Sequence, residues 1–553
     1  MFELSNHGKK PFKHRRTKLT MMRDWLCIYV NVYTTKWSII CSNGDKIEHL
    51  FTSQVFDILE LIKNPKHHIL IYTNRIDVFA DFMLFVSFYD RKGNNVTGFP
   101  RRPTDGEPDL SEAITDSYII RDAIALSRDE NFPSCDYMYN YIKSFGEEPH
   151  ELKRSLASQA SKNFYKTIKD VCWHDACEKG RHIDSKRTFD DLASGTSSGF
   201  LQILPKFCGK VINDVVSFDK SSAYPSKFVQ LDDFPIGKIY CSYRDIKRLQ
   251  ECLDDDSWFT IVIDGRDGIH EKDMLRQYRS KHFDTIAVEK DDFKALYIYN
   301  EHGLKGLDTL YDLLSKRTWR IYFSDDNGYL LRDFRDRVVG EWYEKESSST
   351  DFERKQHKMQ LECIYGKGIQ RFYGDYTDKD VSARYFRDGS KYVLPHWSRH
   401  VISSTRLELI RLWLDDSFYS IACDTDGIKY KNDDGVEQMF YDLNQYLIEK
   451  NSLSGYPDCG IGLWKKEYVA KRFKQIWKKQ YLYETDDQIH LKISGFDLKN
   501  LSFFIGDEDP FTVIKKGISV PVHQGFWYDD TLDTIFDLQR KVVLGRNIKI
   551  PAL

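Results

Sequence analysis

The stretch YSIACDTDGIKY, residues 419–430, constrains the fold more than any other part of the chain. Apolar residues lead into Asp424 and Asp426, one threonine apart, and the chain turns apolar again at Ile428. A short apolar run of this kind reads as a buried strand, where a charge without a partner is costly. Two acids kept there need a cation or a proton. A divalent cation held by protein usually takes more than one carboxylate, so a further acid must arrive from elsewhere in the chain.

DVVSFDKSSAYPSKF supplies one. Val215 to Phe218 reads as a strand ending in Asp219, followed by a Ser, Ala, Tyr, Pro turn in which Pro225 limits any continuing strand or helix. If the two strands are neighbours in one sheet, Asp219 and Asp424 meet at a single metal site. Between them, DFERKQHKMQLECIYGKG reads as a helix. Arg354, Lys358, Glu362 and Tyr365 share one face, Met359, Leu361 and Ile364 lie away from it, and Gly366 and Gly368 supply a stop. Two cations one turn apart, with a ring further along, suit a triphosphate and its base or sugar. A surface helix carrying a Lys358–Glu362 pair fits the same residues.

From Trp464 to Tyr483 the chain carries seven cations, among them Lys471, Arg472 and Lys474, against the single acid Glu467, with aromatic residues interleaved. The pattern suits either a solvated basic face or a polyanion with bases attached. The formal net charge of −3 conceals 81 basic and 84 acidic residues, so a nucleic-acid partner requires their segregation in space.

At 553 residues the chain is long enough for two to four domains, by the rough rule of about 100–200 residues each. Hydrophobic residues at 41% and aromatic residues at 14% argue against disorder. No apolar run reaches the roughly 20 residues of a membrane span. The first residues are basic without an apolar core, which reads as a basic arm rather than a secretory signal and predicts an intracellular, cytoplasmic protein. Eleven cysteines without a CxxC pair point to a reducing compartment. Cys172, His174, Cys177 and His182 cluster, but their spacing fits no common zinc module.

Four motifs together resemble those of family B DNA polymerases. DKSSAYPS (219–226) resembles DxxSLYPS, KMQLECIYGKG (358–368) resembles KxxxNSxYG, and CDTDG (423–427) resembles YxDTDS. KKQYLY (478–483) is similar to the KxY motif, through Lys479 and Tyr481. Their order is the family's, and their spacing is most like the protein-primed branch of small phages and linear plasmids.

The resemblance implies an α+β (mixed α/β) protein: a right-hand palm, fingers and thumb polymerase preceded by an RNase H-like 3'–5' exonuclease domain. The segments expected are a basic arm (1–24), an exonuclease-like domain (25–195), palm (196–232), a first insertion for a terminal protein (233–331) and fingers (332–370). A second insertion for processivity and strand displacement (371–397), further palm (398–505) and thumb (506–553) follow, with residues 371–395 reading as a hairpin. The implied activity is templated addition of deoxynucleotides to a 3' hydroxyl, primed by protein, on a linear viral or plasmid genome. The implied cofactors are two Mg²⁺ ions, for which Mn²⁺ substitutes. Asp219 and Asp424 would hold the metal, with Asp426 as a supporting acid. Arg354 and Lys358 would clamp the triphosphate, while Ser222, Tyr224 and Tyr365 line the nucleotide site. Lys479, Tyr481, Lys471, Arg472 and Lys474 would contact DNA. The implied partners are primer-template DNA, dNTPs and a terminal protein, with a monomeric polymerase.

The sequence departs from the family at several points. Glu362 stands at the Asn position, Cys363 at a Ser and Gly427 at the second Ser. Ionised glutamate only accepts hydrogen bonds, whereas asparagine also donates. In the exonuclease region, IYVNVYTTKW places Asn31 and Tyr33 where Asp and Glu belong; Asp77 of YTNRIDVF is one residue out of register, and YIIRD supplies Tyr118 and Asp122. A two-metal nuclease site without two of its carboxylates predicts an exonuclease fold without exonuclease activity. Two alternatives accompany this reading: template-independent synthesis on a protein or DNA end, and a DNA-binding relic without catalysis.

Overall fold

The computed structural model describes residues 25–32, 36–41, 46–51, 68–73, 112–114, 118–123, 135–145, 186–193, 200–203, 205–270, 272–280, 283–368, 394–415, 417–477, 480–493, 496–498 and 509–513, with shorter stretches elsewhere. Outside them lie the basic arm 1–24, Tyr33, Asp77, the Cys172–His182 cluster, the 371–393 part of the expected hairpin and Lys479. The chain divides into two compact units, Met1–Gln159 with Pro521–Asn547, and Ala160–Val520 with Ile548–Leu553.

The first unit carries a six-stranded mixed sheet built from β1 (Trp25–Val32), β2 (Lys36–Cys41), β3 (Lys46–Phe51), β4 (His68–Thr73), β5 (Glu112–Ile114) and β6 (Tyr118–Asp122). Its order is β3-β2-β1-β4-β6-β5, with β1, β4 and β6 parallel. Helix α1 (Cys135–Lys143) packs on it through Cys135, Met138 and Ile142 against Cys27, Tyr29 and Leu70. Arg121, buried, donates to Tyr72 Oη at 3.2 Å and to the Leu152 carbonyl at 3.0 Å, which fastens the following loop to the sheet. This unit ends well before the boundary expected at residue 195. Phe164 packs on Phe334, and Asp191 of α2 (Lys186–Ala193) pairs with Arg320, so these residues belong to the second unit.

The second unit is organised around an eight-stranded antiparallel sheet. In chain order its strands are β7 (Phe200–Ile203), β8 (Val211–Lys220), β13 (Ser420–Thr425), β14 (Gly427–Lys431), β15 (Trp464–Trp477), β16 (Gln480–Glu484), β17 (Ile489–Ile493) and β18 (Phe496–Leu498). Across the sheet they run β18-β17-β16-β15-β8-β14-β13-β7. The chain does not stop at the turn after β8: it enters α3 (Ala223–Gln230), whose third residue is Pro225. Proline is accommodated there because the first-turn N–H groups have no partner within the helix.

Residues 239–324 form a four-stranded antiparallel sheet of β9 (Ile239–Tyr243), β10 (Phe259–Asp264), β11 (Thr285–Glu289) and β12 (Trp319–Ser324), ordered β9-β12-β10-β11. With it go helices α4 (Ile246–Asp254), α5 (Lys290–Glu301) and α6 (Leu307–Lys316). Two helices then form a hairpin, α7 (Arg332–Ser347) and α8 (Asp351–Gly368), and α10 (Asp434–Leu453) follows β14.

Helix α9 (Pro395–Trp413) is buried nearly all round, charged residues included. Burial of charge requires partners, and those around His400 and Arg406 come from β11, α5 and Asp233 beyond the end of α3. His400 Nδ1 lies 2.8 Å from Glu289 and its Nε2 lies 2.9 Å from Asp233. Lys290 bonds Asp233, Ser403 bonds Glu289, and Arg406 pairs with Asp292 at 2.9 Å. Burial alone would lower the His400 pKa, but Glu289 and Asp233 outweigh it and raise it to about 10.

His400 is thus an imidazolium holding two carboxylates. Because its folded pKa is raised, its stabilisation is complete below the unfolded value, about 6.5, and is lost as pH rises toward about 10. His400→Gln is expected to cost about 3–5 kcal/mol near pH 6 in guanidinium denaturation, with the gap to wild type closing toward pH 10. A gap that is constant with pH would overturn the assignment.

Candidate active site

Asp219 on β8 lies opposite Gly427 on β14, and Gly427 lies opposite Asp424 on β13. Lys465 on β15 extends the same row beyond Asp219. Residues paired across antiparallel strands turn their side chains to the same face, so both acids and Lys465 face together across a gap at Gly427. A Cβ there would lie 3.2 Å from Asp219 Oδ1 and 3.2 Å from the Phe218 carbonyl. The departure at Gly427 is therefore less a lost hydroxyl than the space that Asp219 uses.

The strand expected to hold both acids reverses between them. The Asp426 N–H donates to the Asp424 carbonyl at 2.7 Å around Thr425, whose φ is 65°. This is a γ-turn of the left-handed kind, which is rare and strained, most of all at a β-branched residue. Thr425 Oγ1 donates to Asp424 Oδ1 at 3.2 Å, and the Lys220 N–H donates to the Asp426 carbonyl at 3.0 Å. The turn is thereby tied to the end of β8, with Asp426 beside Asp219.

Electrostatics follow this arrangement. Burial raises the Asp219 pKa, Asp426 and then Glu467 raise it further, and Lys429 and Lys358 oppose them, leaving it at about 7. Asp426 acts on buried Tyr224 more strongly than Asp424 does, whereas Asp424 acts on Tyr481. Asp219 and Asp426 line the cavity described next, and Asp424 does not line it.

The three half-buried acids do not form a group with all ligand atoms within 4.8 Å of one another, an arrangement in which like charges would repel. Among the described residues, the acid and histidine group whose ligand atoms lie within 4.8 Å of one another is Glu289, Asp291 and His400. There His400 already bonds Glu289 and Asp233, so the group serves packing. The row of acids nevertheless has the donor chemistry that a hard divalent cation such as Mg²⁺ or Mn²⁺ would take. It offers hard carboxylate oxygens, crowded until Asp219 holds its proton to near neutral pH.

A cavity of about 570 Å³ opens against these acids. Asp219, Ser222, Tyr224, Thr425 and Asp426 form one wall, and Arg354, Lys358, Glu362 and Tyr365 of α8 form the other. The Tyr224 and Tyr365 rings stand 4.6 Å apart. Lys358 is exposed and lies 3.8 Å from Glu362. The helical face read from spacing is therefore the face that meets the cavity; Met359 and Ile364 are buried behind it, whereas Leu361, also buried, adds to the lining.

Further cations on the cavity wall escaped the sequence reading. Lys345, in the last turn of α7, donates to Ser222 Oγ at 3.0 Å, and Lys355 joins it, as does Lys465, one of the seven cations of the basic 464–483 segment. The signal for Lys345 was its place just before the Ser and Thr turn joining the two helices. Below the site, Glu408 of α9 pairs with Lys220 at 2.5 Å and Lys227 at 2.6 Å. Burial would raise the Glu408 pKa, but the two lysines hold it well below the usual carboxylate range.

The basic 464–483 segment is β15 and β16 of the main sheet. Lys474, expected to contact DNA, is buried and donates to the Phe511 carbonyl at 2.5 Å. Arg472 bonds Glu484 and Asp509, and Lys471 pairs with Asp486 at 2.9 Å. Tyr481 lies on the acid face with its ring under Lys429 Nζ, 4.7 Å from the centroid, and near Phe473 and Tyr483.

In the first unit, Asn31 and Asp122 come to the C-terminal ends of β1 and β6, flanking Thr73 of β4. Tyr118 sits at the opposite end of β6.

No protein-family model matches the chain, and no curated protein does. Among solved structures it has the fold of DNA polymerases. Phi29 DNA polymerase complexed with primer-template DNA matches with a TM-score of 0.58 at 12% identity, over 96% of this chain and 100% of that one. The same polymerase with primer-template DNA and incoming nucleotide matches with a TM-score of 0.54 at 13% identity, over 95% and 99%. The complex with single-stranded DNA gives 0.57 at 12% identity, over 95% and 100%. No helix among the described residues is long and apolar enough to cross a membrane.

Gly427→Val would press a branched side chain onto Asp219 Oδ1. It is expected to weaken Mn²⁺ binding, followed by proton relaxation enhancement, by at least about tenfold, the equivalent of 1.4 kcal/mol. Unchanged Mn²⁺ affinity would show that the gap does not serve the ion.

Proposed function

We propose that the protein is a DNA-directed DNA polymerase that adds deoxynucleotides to a 3' hydroxyl on a template. The observation that carries this reading is the cavity in which Asp219 and Asp426 face Arg354, Lys345, Lys355 and Lys358. Acids on one wall and cations on the other suit a triphosphate whose reacting phosphorus lies at the acids. The Phi29 polymerase fold supports it.

In this reading Asp219 and Asp426 hold two divalent ions, Mg²⁺ or Mn²⁺, and Asp424 fixes the turn. Bound there, the ions supply charge neutralisation at the attacking and leaving oxygens. Arg354, Lys345, Lys355 and Lys358 bind the triphosphate and orient it. Tyr224, tilted against Tyr365, packs under the sugar, where a ring leaves little room for a ribose 2' hydroxyl. Ser222 keeps Lys345 in place. Tyr481, with Lys479, meets the strand being extended.

We further infer a protein-primed, strand-displacing replicase of a linear genome, acting as a monomer, in which residues 233–331 receive the priming protein and 371–397 hold DNA. Four motifs and their spacing support this branch. We also infer that exonuclease activity is lost, because Asn31 takes an acid's place at a strand end.

Primer extension on a defined template with Mg²⁺ tests the reading. Asp219→Asn and Asp426→Asn are each expected to lose at least about 100-fold, the scale set by removing one group that stabilises transition-state charge. Asp424→Asn should lose less than Asp426→Asn. Glu362 beside Lys358 favours a second possibility, template-independent addition; product formed equally without template would select it, and no product with either metal would overturn both. Labelled single-stranded DNA with Mn²⁺ should stay intact, and degradation abolished by Asp122→Ala would overturn the loss of exonuclease.

A further inference from the structure

Lys429 takes no part in the cavity, yet it sits on the catalytic face. It lies opposite Ser217 on β8 and Ala422 on β13, two residues along β14 from Gly427. Strand alternation therefore turns it to the same side as Asp219. It is close enough to lower the proton affinity of Asp219. The residue is 3% exposed, and its ammonium rests 4.7 Å from the centroid of the Tyr481 ring. Among the described residues it has no ion pair and no hydrogen bond, unlike the buried lysines 220, 227, 290 and 474.

A buried cation without a carboxylate partner is expensive unless an anion comes to it. The cation–π contact recovers only about 0.5–2 kcal/mol. The position of Lys429 says which anion. The cavity with its triphosphate-binding cations opens from the Asp219–Lys220 end of β8. Lys429 stands about 7 Å back along the sheet from that row, on the far side of the acids. Phosphoryl transfer places attacking and leaving oxygens roughly in line across the phosphorus. If the leaving pyrophosphate lies in the cavity, the attacking hydroxyl and its strand arrive from the Lys429 side.

We propose that Lys429 binds the phosphodiester nearest the 3' end of the strand being extended, over the Tyr481 ring, and so aims its hydroxyl at the acids. This rests on the polymerase reading above, and it assigns to Lys429 a phosphate contact separate from the triphosphate clamp. Lys429 is a binding and positioning residue; no proton moves to or from it.

The test is equilibrium binding of a recessed primer-template across a salt series, together with extension kinetics, for wild type, Lys429→Met and Lys429→Arg. Methionine keeps the apolar stem over Tyr481 and removes the charge. Lys429→Met is expected to weaken primer-template binding about 10- to 100-fold, as for a charged hydrogen bond, and to reduce the log–log salt slope by about 1. Its KM for dNTP should stay within about twofold of wild type, and Lys429→Arg should restore the slope. An unchanged slope with altered metal dependence would overturn the proposal in favour of a purely electrostatic effect on Asp219. A raised dNTP KM with normal primer binding would overturn it in favour of a triphosphate contact. If Lys429→Met does not fold, an unaltered slope in Lys429→Gln overturns the proposal equally. Wild-type protein that binds primer-template but never extends it defeats the polymerase reading alone, because the slope still reports on Lys429. Wild-type protein that neither binds nor extends defeats both.

Discussion

Repulsion among carboxylates is the constraint on which the rest of the second unit depends. Asp219, Asp424 and Asp426 are collected by three strands and one turn into a half-buried place that raises the Asp219 pKa to about 7. Nothing in a sheet favours such crowding, so the surroundings must impose it. The γ-turn holds Asp426 forward, the Lys220 N–H locks that turn to β8, and Gly427 leaves room between the rows. Each is a backbone device, and backbone is the part of a protein least able to move away from an unfavourable charge.

Support for that backbone lies one layer below. Helix α9 carries Glu408 to Lys220 and Lys227, fixing the β8–α3 corner, and His400, Ser403 and Arg406 to the acids of β11 and α5. Ionic contacts of this type contribute little net stability compared with apolar packing, but breaking one partner is costly. They act as a register device: one placement of α9 satisfies all of these partners, and that placement sets the corner on which Asp219 stands.

Much of the site was legible in the sequence, for identifiable reasons. The apolar run before Asp219, the acids around Thr425 and the helical face of Arg354, Lys358 and Tyr365 are local patterns, and local patterns survive folding. What escaped depends on register or on distant partners. Strand pairing decides that Gly427 faces Asp219, and a positive φ at Thr425 decides which of two neighbouring acids leads; neither leaves a trace in composition. Lys345 and Lys429 are single lysines among many, and only the fold brings them to the acids. The burial of Lys474 is of the same kind: its basic neighbourhood suggested a polyanion, and nothing local tells that its ammonium bonds the Phe511 carbonyl.

Thr425 has one more consequence. A β-branched residue held at φ 65° spends conformational energy continuously, whether or not substrate is bound. Relaxation of that residue toward an ordinary β conformation would swing Asp426 away from Asp219, so the hairpin tip behaves as a cocked spring whose latch is the Lys220 hydrogen bond. Whatever loosens the end of β8 releases the tip. A ligand pressing on Ser222 or Tyr224, which follow directly on the end of β8, would therefore reach the acids through the main chain.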